Sequence, residues 1–313
     1  MDEHELQPWL PRVPMTTPTV PMKDPDSGCT IWLKQEYLLP SGSTKDRIAH
    51  FILGHAAASG ALRPGATVVE ASSGSTSIAF ASACATLGVR FVAVMPEGVS
   101  GERVLIIRRY GGEVILTPRE AGVLGAMEAS RKLAREDDRV FLPRQFENPL
   151  NSLAHQRATG PELIAQIGKR IHGFVAGVGT GGTLMGIGRA LREAGHDAVI
   201  APVKPEKGTC FAGQPEVCGG IPGVVEGLST ILDTAAIGAA EPICVPDHEA
   251  IAAARELCRK GFPVGPSSGL NLAGARRLAM RLGPGHDVAT VLCDRMERYF
   301  STDLFVDLQG VRS

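Results

Sequence analysis

Thr67-Val68-Val69-Glu70-Ala71-Ser72-Ser73-Gly74-Ser75-Thr76 joins an apolar, β-branched run to a cluster of small hydroxyl-bearing residues, and a small-residue helical pattern follows from Ser77 to about Leu87. A strand over Thr67 to Glu70, a turn and a helix make the first part of a β-α-β unit, because parallel strands need a crossover of about that length. The run Phe91 to Met95 supplies the returning strand. The same alternation extends outward in both directions: helix Ile48 to Ala58 before it, then helix Glu102 to Tyr110, strand Glu113 to Leu116 and helix Ala121 to Arg135. It resumes with a helix from about Leu153 to Ile167, strand Gly173 to Gly177, helix Leu184 to Ala194, strands Ala198 to Val203 and Ile243 to Pro246, helix Asp247 to Lys260, helix Leu270 to Leu282 and strand Asp287 to Leu292. Thr19 to Met22 and Thr30 to Glu36 read as a hairpin joined by a turn-rich segment. The expected fold class is α/β, with mostly parallel sheets flanked by helices.

At 313 residues and 44% hydrophobic side chains the chain can bury a sizeable core, and it reads as one unit of two subdomains. The polar crossing segment Gln145-Phe146-Glu147-Asn148-Pro149-Leu150-Asn151-Ser152 marks the boundary. The expected division is an N-terminal arm over 1–16, a smaller subdomain over 39–150, and a larger one built from 17–38 and 151–313. The 32 basic and 33 acidic residues nearly cancel, and no Lys/Arg run stands out, so neither nucleic acid nor a membrane surface is an expected partner. The start, Met1-Asp2-Glu3-His4-Glu5, lacks a basic segment and apolar core, and no membrane-spanning run occurs, so a cytoplasmic location is expected. The seven cysteines are scattered without a C-x-x-C pair and are expected to be reduced; Cys210 and Cys218 share a Gly-rich region, with no nearby His to complete a metal site.

Four stretches carry the chemistry. Leu39-Pro40-Ser41-Gly42-Ser43-Thr44-Lys45-Asp46-Arg47 delivers Lys45 among small residues to a helical pattern beginning near Ile48. A helix N-terminus favours the deprotonated amine, and such an amine can form a Schiff base; a plain helix cap with a solvated lysine is the alternative. Ser72 to Thr76 lies beyond the carboxyl end of a strand and at the start of a helix, where open α/β sheets place ligands, and it is expected to hold an anion. Val178-Gly179-Thr180-Gly181-Gly182-Thr183 lets backbone amides and hydroxyls close on a phosphate. It lacks the lysine of a Walker loop, and it is expected to take a monophosphate and neither ATP nor NAD. Gly265-Pro266-Ser267-Ser268-Gly269 is expected to cap the helix that follows.

Together these suggest a covalently held phosphate cofactor, and pyridoxal phosphate fits all four. The chain resembles the cysteine synthase and cystathionine β-synthase family of pyridoxal phosphate enzymes, with the tryptophan-synthase-β-like fold, through most of its length. The resemblance is carried by Ser43 to Arg47, Ser72 to Thr76, Gln145 to Pro149 with His155 and Thr159-Gly160-Pro161-Glu162, Gly177 to Thr183, Glu226-Gly227, Gly265 to Gly269, and Glu297-Arg298-Tyr299-Phe300-Ser301-Thr302.

The resemblance implies a cofactor in the cleft between the subdomains, its phosphate held by Gly179, Thr180, Gly181, Gly182 and Thr183 of the larger one. Lys45 would be the Schiff-base lysine and would shuttle the α-proton. Ser267, or else Ser268, would face the pyridine nitrogen with a neutral hydroxyl, which suits β-elimination chemistry. Ser72, Ser73, Gly74, Thr76, Gln145 and Gly227 would bind the substrate. Ser75 would be the cofactor-binding residue beside the cofactor's 3-oxygen, at the position where family members usually carry Asn. The implied reaction is β-replacement on an activated serine, most simply O-acetylserine plus sulfide giving cysteine. Cystathionine formation, 2,3-diaminopropionate formation, cysteine desulfhydration and serine or threonine dehydration remain open, as does a silent relative that binds a partner's peptide. The implied partners are an amino acid, sulfide or another small nucleophile, a second copy in a homodimer, and a serine acetyltransferase tail. The segment Pro205 to Gly223 looks unlike plain cysteine synthases and is expected at the rim of the substrate entrance.

Overall fold

A computed structural model of the chain describes residues 15–72, 74–206, 221–224 and 227–306. Residues 1–14 of the N-terminal arm expected over 1–16, Ser73, Cys210, Cys218 and Glu226 lie outside the described residues. Two sheets organise the chain. The four-stranded one has the order β5-β4-β3-β6, with β3 Thr67–Ala71, β4 Arg90–Pro96, β5 Glu113–Thr117 and β6 Val140–Phe141, all parallel. The six-stranded one has the order β1-β2-β10-β7-β8-β9, with β1 Thr19–Lys23, β2 Thr30–Gln35, β7 Gly173–Gly177, β8 Val199–Pro205, β9 Ile243–Val245 and β10 Asp287–Leu292. Only the β1–β2 hairpin in it is antiparallel.

Both sheets are covered on two faces, which explains why their strands read as continuous apolar runs. Phe91 to Met95 of β4 and all of β10 are buried. The smaller sheet packs its apolar side chains against α1 Lys45–Ala58, α2 Ser75–Leu87 and α3 Gly101–Arg109 on one face, and against α4 Gly122–Glu136 on the other. The larger sheet is sandwiched between α8 Asp247–Arg259 with α9 Pro266–Leu282 and α6 Gly160–Ile167 with α7 Gly182–Glu193.

The helix starts differ from the sequence reading in one consistent way. α1 begins at Lys45 and not near Ile48, α2 at Ser75 and not Ser77, α7 at Gly182 and not Leu184, and α9 at Pro266 and not Leu270. Each motif expected as a loop or cap before a helix is therefore partly its first turn. Apolar periodicity marks only the part of a helix that packs, and these first turns face a cleft. The helix expected over Leu153 to Ile167 is α5 Leu150–Ala154, a π-helical turn His155–Thr159 and then α6. Pro161 has no N–H to give to Arg157, and the N–H of Gly160 reaches back to His155 O instead, which widens the turn. The two-residue strand β6 is too short to leave a periodic signal.

Candidate active site

A cleft of about 550 Å³ lies between the two sheets, and the N-termini of α1, α2, α7 and α9 all open onto it through Lys45, Ser75, Gly182 and Ser267. Four helix N-termini place partial positive charge and first-turn N–H groups around one space, an arrangement suited to phosphate and carboxylate.

Lys45 is half-buried at the first position of α1. Its backbone N–H is taken by Ser43 Oγ at 3.0 Å. The loop before it is pinned to the end of β10: Thr44 N donates to Cys293 O at 2.8 Å and Arg295 N to Gly42 O at 3.1 Å. The left-handed Gly42 (φ 83°) allows this approach, since a Cβ there would lie 2.7 Å from Arg295 Cδ. Two residues on, about half a turn around the helix, Arg47 pairs with Glu36 and Glu162 and fixes the helix from behind.

The glycine cradle passes the test of a phosphate site. A Cβ on Gly179 would sit 2.3 Å from Gly223 O, one on Gly182 would sit 1.8 Å from Asn151 Oδ1, and Gly181 holds φ at 81°. Backbone must come where side chains cannot, which is what a cradle of amides for an anion requires. Its hydroxyls and backbone are held from outside: Thr180 Oγ1 accepts from Asn151 Nδ2 at 2.9 Å, Ser229 Oγ donates to the backbone carbonyl of Thr180 at 2.6 Å, and Thr183 Oγ1 lies 3.3 Å from His155 Nε2. His155 is fully enclosed, and burial followed by the nearby charges of Lys45 and Arg47 holds its pKa well below the ordinary range.

On the substrate-loop side, Thr76 Oγ1 donates to Gln145 Oε1 at 2.7 Å and Gln145 Nε2 donates to Ala71 O at 3.0 Å. The two side chains nominated for a substrate carboxylate therefore hold each other. Arg144, left-handed at φ 55°, turns the chain just before Gln145. Glu70 anchors the arrangement from beneath: its oxygens accept from Ala71 N at 3.0 Å and Gln145 N at 3.2 Å, and burial pushes its carboxyl up to about 8.

Ser72, Gly74, Ser75, Thr76, Gln145, Gly179 to Thr183, Ser267 and Lys45 all line the cleft. Gly227 is exposed and does not line it, and Ser73 is not among the described residues. Of the two serines weighed for the pyridine nitrogen, Ser267 faces the cleft, whereas Ser268 is fully buried with Oγ accepting from Cys293 N at 2.9 Å. Of the segment expected at the entrance, Ile221, Pro222 and Gly223 line the cleft, and 207–220 lie outside the described residues. Among the described residues no His, Cys, Asp and Glu cluster could hold a metal, the five described cysteines are unpaired, and no helix is long and apolar enough to cross a membrane.

The sequence gives no role to Asp294, which lines the cleft and accepts from Ser75, or to Arg298, which is buried behind it and donates to Ser75. A signal exists for Asp294. It follows the wholly buried strand β10 at its carboxyl end, where parallel sheets place ligand-contacting residues.

The fold and the site together define a lysine-based, phosphate-anchored cofactor enzyme. The chain belongs to the pyridoxal-phosphate dependent enzyme family, whose model matches residues 13–294. Within that family it is similar to cysteine synthases. It is 38% identical over 300 residues to the cysteine synthase of Staphylococcus aureus (strain Mu50), covering 92% of this chain and 94% of that one. It is 37% identical over 292 residues to a probable cysteine synthase of Bacillus subtilis (strain 168), covering 90% and 91%. Among solved structures, an O-ureido-L-serine synthase superposes with a TM-score of 0.88 at 33% identity, over 97% of this chain and 96% of that one. The α/β fold with two parallel-sheet halves and the pyridoxal phosphate dependence expected from the sequence both hold.

Proposed function

We propose that the chain is a cysteine synthase that replaces the β-substituent of O-acetylserine with sulfide and works through pyridoxal phosphate. The observation that carries this reading is the convergence of Lys45, the Ser72–Thr76 loop and the glycine cradle on one cleft. The identity to cysteine synthases over nine-tenths of the chain supports the substrate.

Bound pyridoxal phosphate supplies a carbonyl that condenses with amines and a ring that stabilises negative charge at an amino acid's α-carbon. The chain's own residues do the rest. The Gly179–Thr183 amides and the α7 N-terminus hold the phosphate, and Asn151 and His155 fix the hydroxyls of Thr180 and Thr183. Ser267, a neutral hydroxyl that lines the cleft, would face the ring nitrogen. The Ser72–Thr76 loop and Gln145 receive the amino acid's carboxylate, for which the Thr76–Gln145 bond must open. Lys45 Nζ takes the α-proton, and its place at the first turn of α1 keeps it in the cleft while the substrate is processed.

The test is the visible absorption spectrum of the purified protein with pyridoxal phosphate, followed through addition of O-acetylserine and then sulfide. A yellow protein whose band shifts with O-acetylserine and returns with sulfide, with cysteine formed, is expected. Lys45→Ala is expected to lower turnover by at least about a thousandfold, within the range for loss of a positioned acid–base group. A yellow wild type that ignores O-acetylserine would overturn the substrate, and turnover surviving in Lys45→Ala would overturn the lysine's role.

A further inference from the structure

We propose that Ser75 is a positioning residue that latches the substrate loop to the segment following β10, and that its hydroxyl is committed to this latch and not to the cofactor's 3-oxygen. The inference rests on the pyridoxal phosphate reading above and concerns how this chain's own residues meet that group.

Ser75 Oγ lies 2.7 Å from Asp294 Oδ2 and 2.9 Å from Arg298 Nη1. The direction of each bond is fixed by chemistry. A guanidinium only donates and a carboxylate only accepts, so Arg298 gives its proton to Ser75 and Ser75 gives its single proton to Asp294. Asparagine at this position would have two N–H donors and could serve a neighbour and the cofactor together. Serine has one proton, and it is used.

The partners cannot easily drift to free it. Tyr299 OH also donates to Asp294 Oδ2 at 2.7 Å, and Arg298, 3% exposed, donates through Nη2 to the carbonyl oxygen of Ser41 in the lysine loop. Asp294 Oδ1 and the Tyr299 ring fill the space in front of Gly265, where a Cβ would lie 2.7 Å from that oxygen and 2.3 Å from the ring. Arg103 sits over the Tyr299 ring, 5.1 Å from its centroid.

A chain of hydrogen bonds thus runs Ser41, Arg298, Ser75, Asp294, Tyr299, and it joins the lysine loop, the substrate loop and the end of β10. The lysine loop is also tied to that segment by backbone bonds. Among the described residues of the substrate loop, Ser75 makes the hydrogen bonds to it; Thr76 binds Gln145, and Ser72 bonds within its own half of the molecule. The latch therefore sets where the loop stands when an amino acid carboxylate arrives. Its loss should loosen substrate binding and leave the cofactor's electronic surroundings unchanged.

The experiment compares wild type, Ser75→Ala, Ser75→Thr and Asp294→Asn as holoenzymes, by the resting visible spectrum, retention of pyridoxal phosphate on dialysis, and separate KM and kcat for O-acetylserine. Ser75→Ala is expected to raise KM about tenfold, the size expected for a hydrogen bond to a charged group, with the absorption maximum and cofactor retention of the wild type. Ser75→Thr, which keeps the hydroxyl, should restore the wild-type KM. Asp294→Asn should raise KM as Ser75→Ala does, and the double variant should add little to either. If Asp294→Asn does not fold, Arg298→Lys takes its place with the same expectation. A shifted absorption maximum or faster cofactor loss in Ser75→Ala, with KM unchanged, overturns the latch alone. A wild type that stays colourless with added pyridoxal phosphate overturns the functional reading and the latch with it.

Discussion

Two buried polar clusters flank the helix that carries Lys45, and they are built on opposite terms. Behind it, Arg47 donates to both oxygens of Glu36 (2.9 and 2.7 Å) and both of Glu162 (2.6 and 2.9 Å), Lys34 donates to Glu162 at 2.8 Å, and Thr17 closes on Glu36 at 2.6 Å. Two cations meet two anions and each carboxylate oxygen is matched. In front, along Ser41, Arg298, Ser75, Asp294 and Tyr299, Asp294 Oδ1 is buried without a hydrogen-bond partner. The rear cluster lies away from the cleft and holds the helix still. The front cluster borders the cleft and keeps unspent polar capacity, which a segment that must yield to an arriving substrate can use and a purely structural one has no reason to retain.

The sharpest way to break this contrast is Arg47→Ala. It would leave Glu36, fully buried, without its cation, and removing one partner of a buried pair costs roughly 3–5 kcal/mol. Urea unfolding followed by circular dichroism measures the loss. A midpoint unchanged from wild type would mean that the rear cluster holds nothing.

The clusters should also answer pH with opposite signs. Burial raises Asp46, at the front, to about 6, so the folded chain keeps a proton that the unfolded chain has released. Its stabilising contribution is complete below the ordinary aspartate range and is lost as pH rises to about 6, and Glu70 extends the same decline to about 8. At the rear, burial pushes Glu162 upward, but the bonds from Arg47 and Lys34 outweigh it and hold the carboxyl below its ordinary value. That contribution is present above the ordinary glutamate range and is lost as pH falls. Asp46→Asn should therefore flatten the stability curve between about pH 4 and 6. That stretch is worth up to roughly 3 kcal/mol, because each tenfold difference in proton affinity between the folded and unfolded chain is about 1.4 kcal/mol. Unfolding midpoints of both proteins at pH 4, 5, 6 and 7 check this, and parallel curves would remove Asp46 from the account.

The rear cluster and the front cluster are unequally legible in the sequence. Strands such as Phe91 to Met95 and Asp287 to Leu292 announce the α/β fold because both of their faces are buried. The lysine loop, the substrate loop and the cradle stand out because small, hydroxyl-bearing and glycine residues between a strand and a helix have few other uses. Helix starts are misplaced where the first turn is polar and faces the cleft. The partners of Ser75 cannot be read, since Asp294 and Arg298 lie more than two hundred residues away, on the half of the molecule built around the other sheet, and meet Ser75 only where the two halves pack together. Glu70 reads as part of an apolar strand, and nothing local shows that its carboxyl turns to the backbone of Gln145.

Tyr299→Phe tests the smallest expected difference and the one that discriminates most finely within the front cluster. It deletes the hydroxyl that donates to Asp294 Oδ2 and keeps the ring that packs against Gly265 and Arg103. One hydrogen bond is lost with no cavity opened, so the expected cost is about 1 kcal/mol of stability. Ser75 still donates to the same oxygen, so KM for the amino acid should rise by less than in Ser75→Ala. Thermal unfolding and steady-state kinetics of the two variants side by side make the comparison. A larger KM rise in Tyr299→Phe than in Ser75→Ala would mean that Asp294 is held chiefly by the tyrosine, and that the substrate loop takes its position from the segment after β10 by packing and not through the serine.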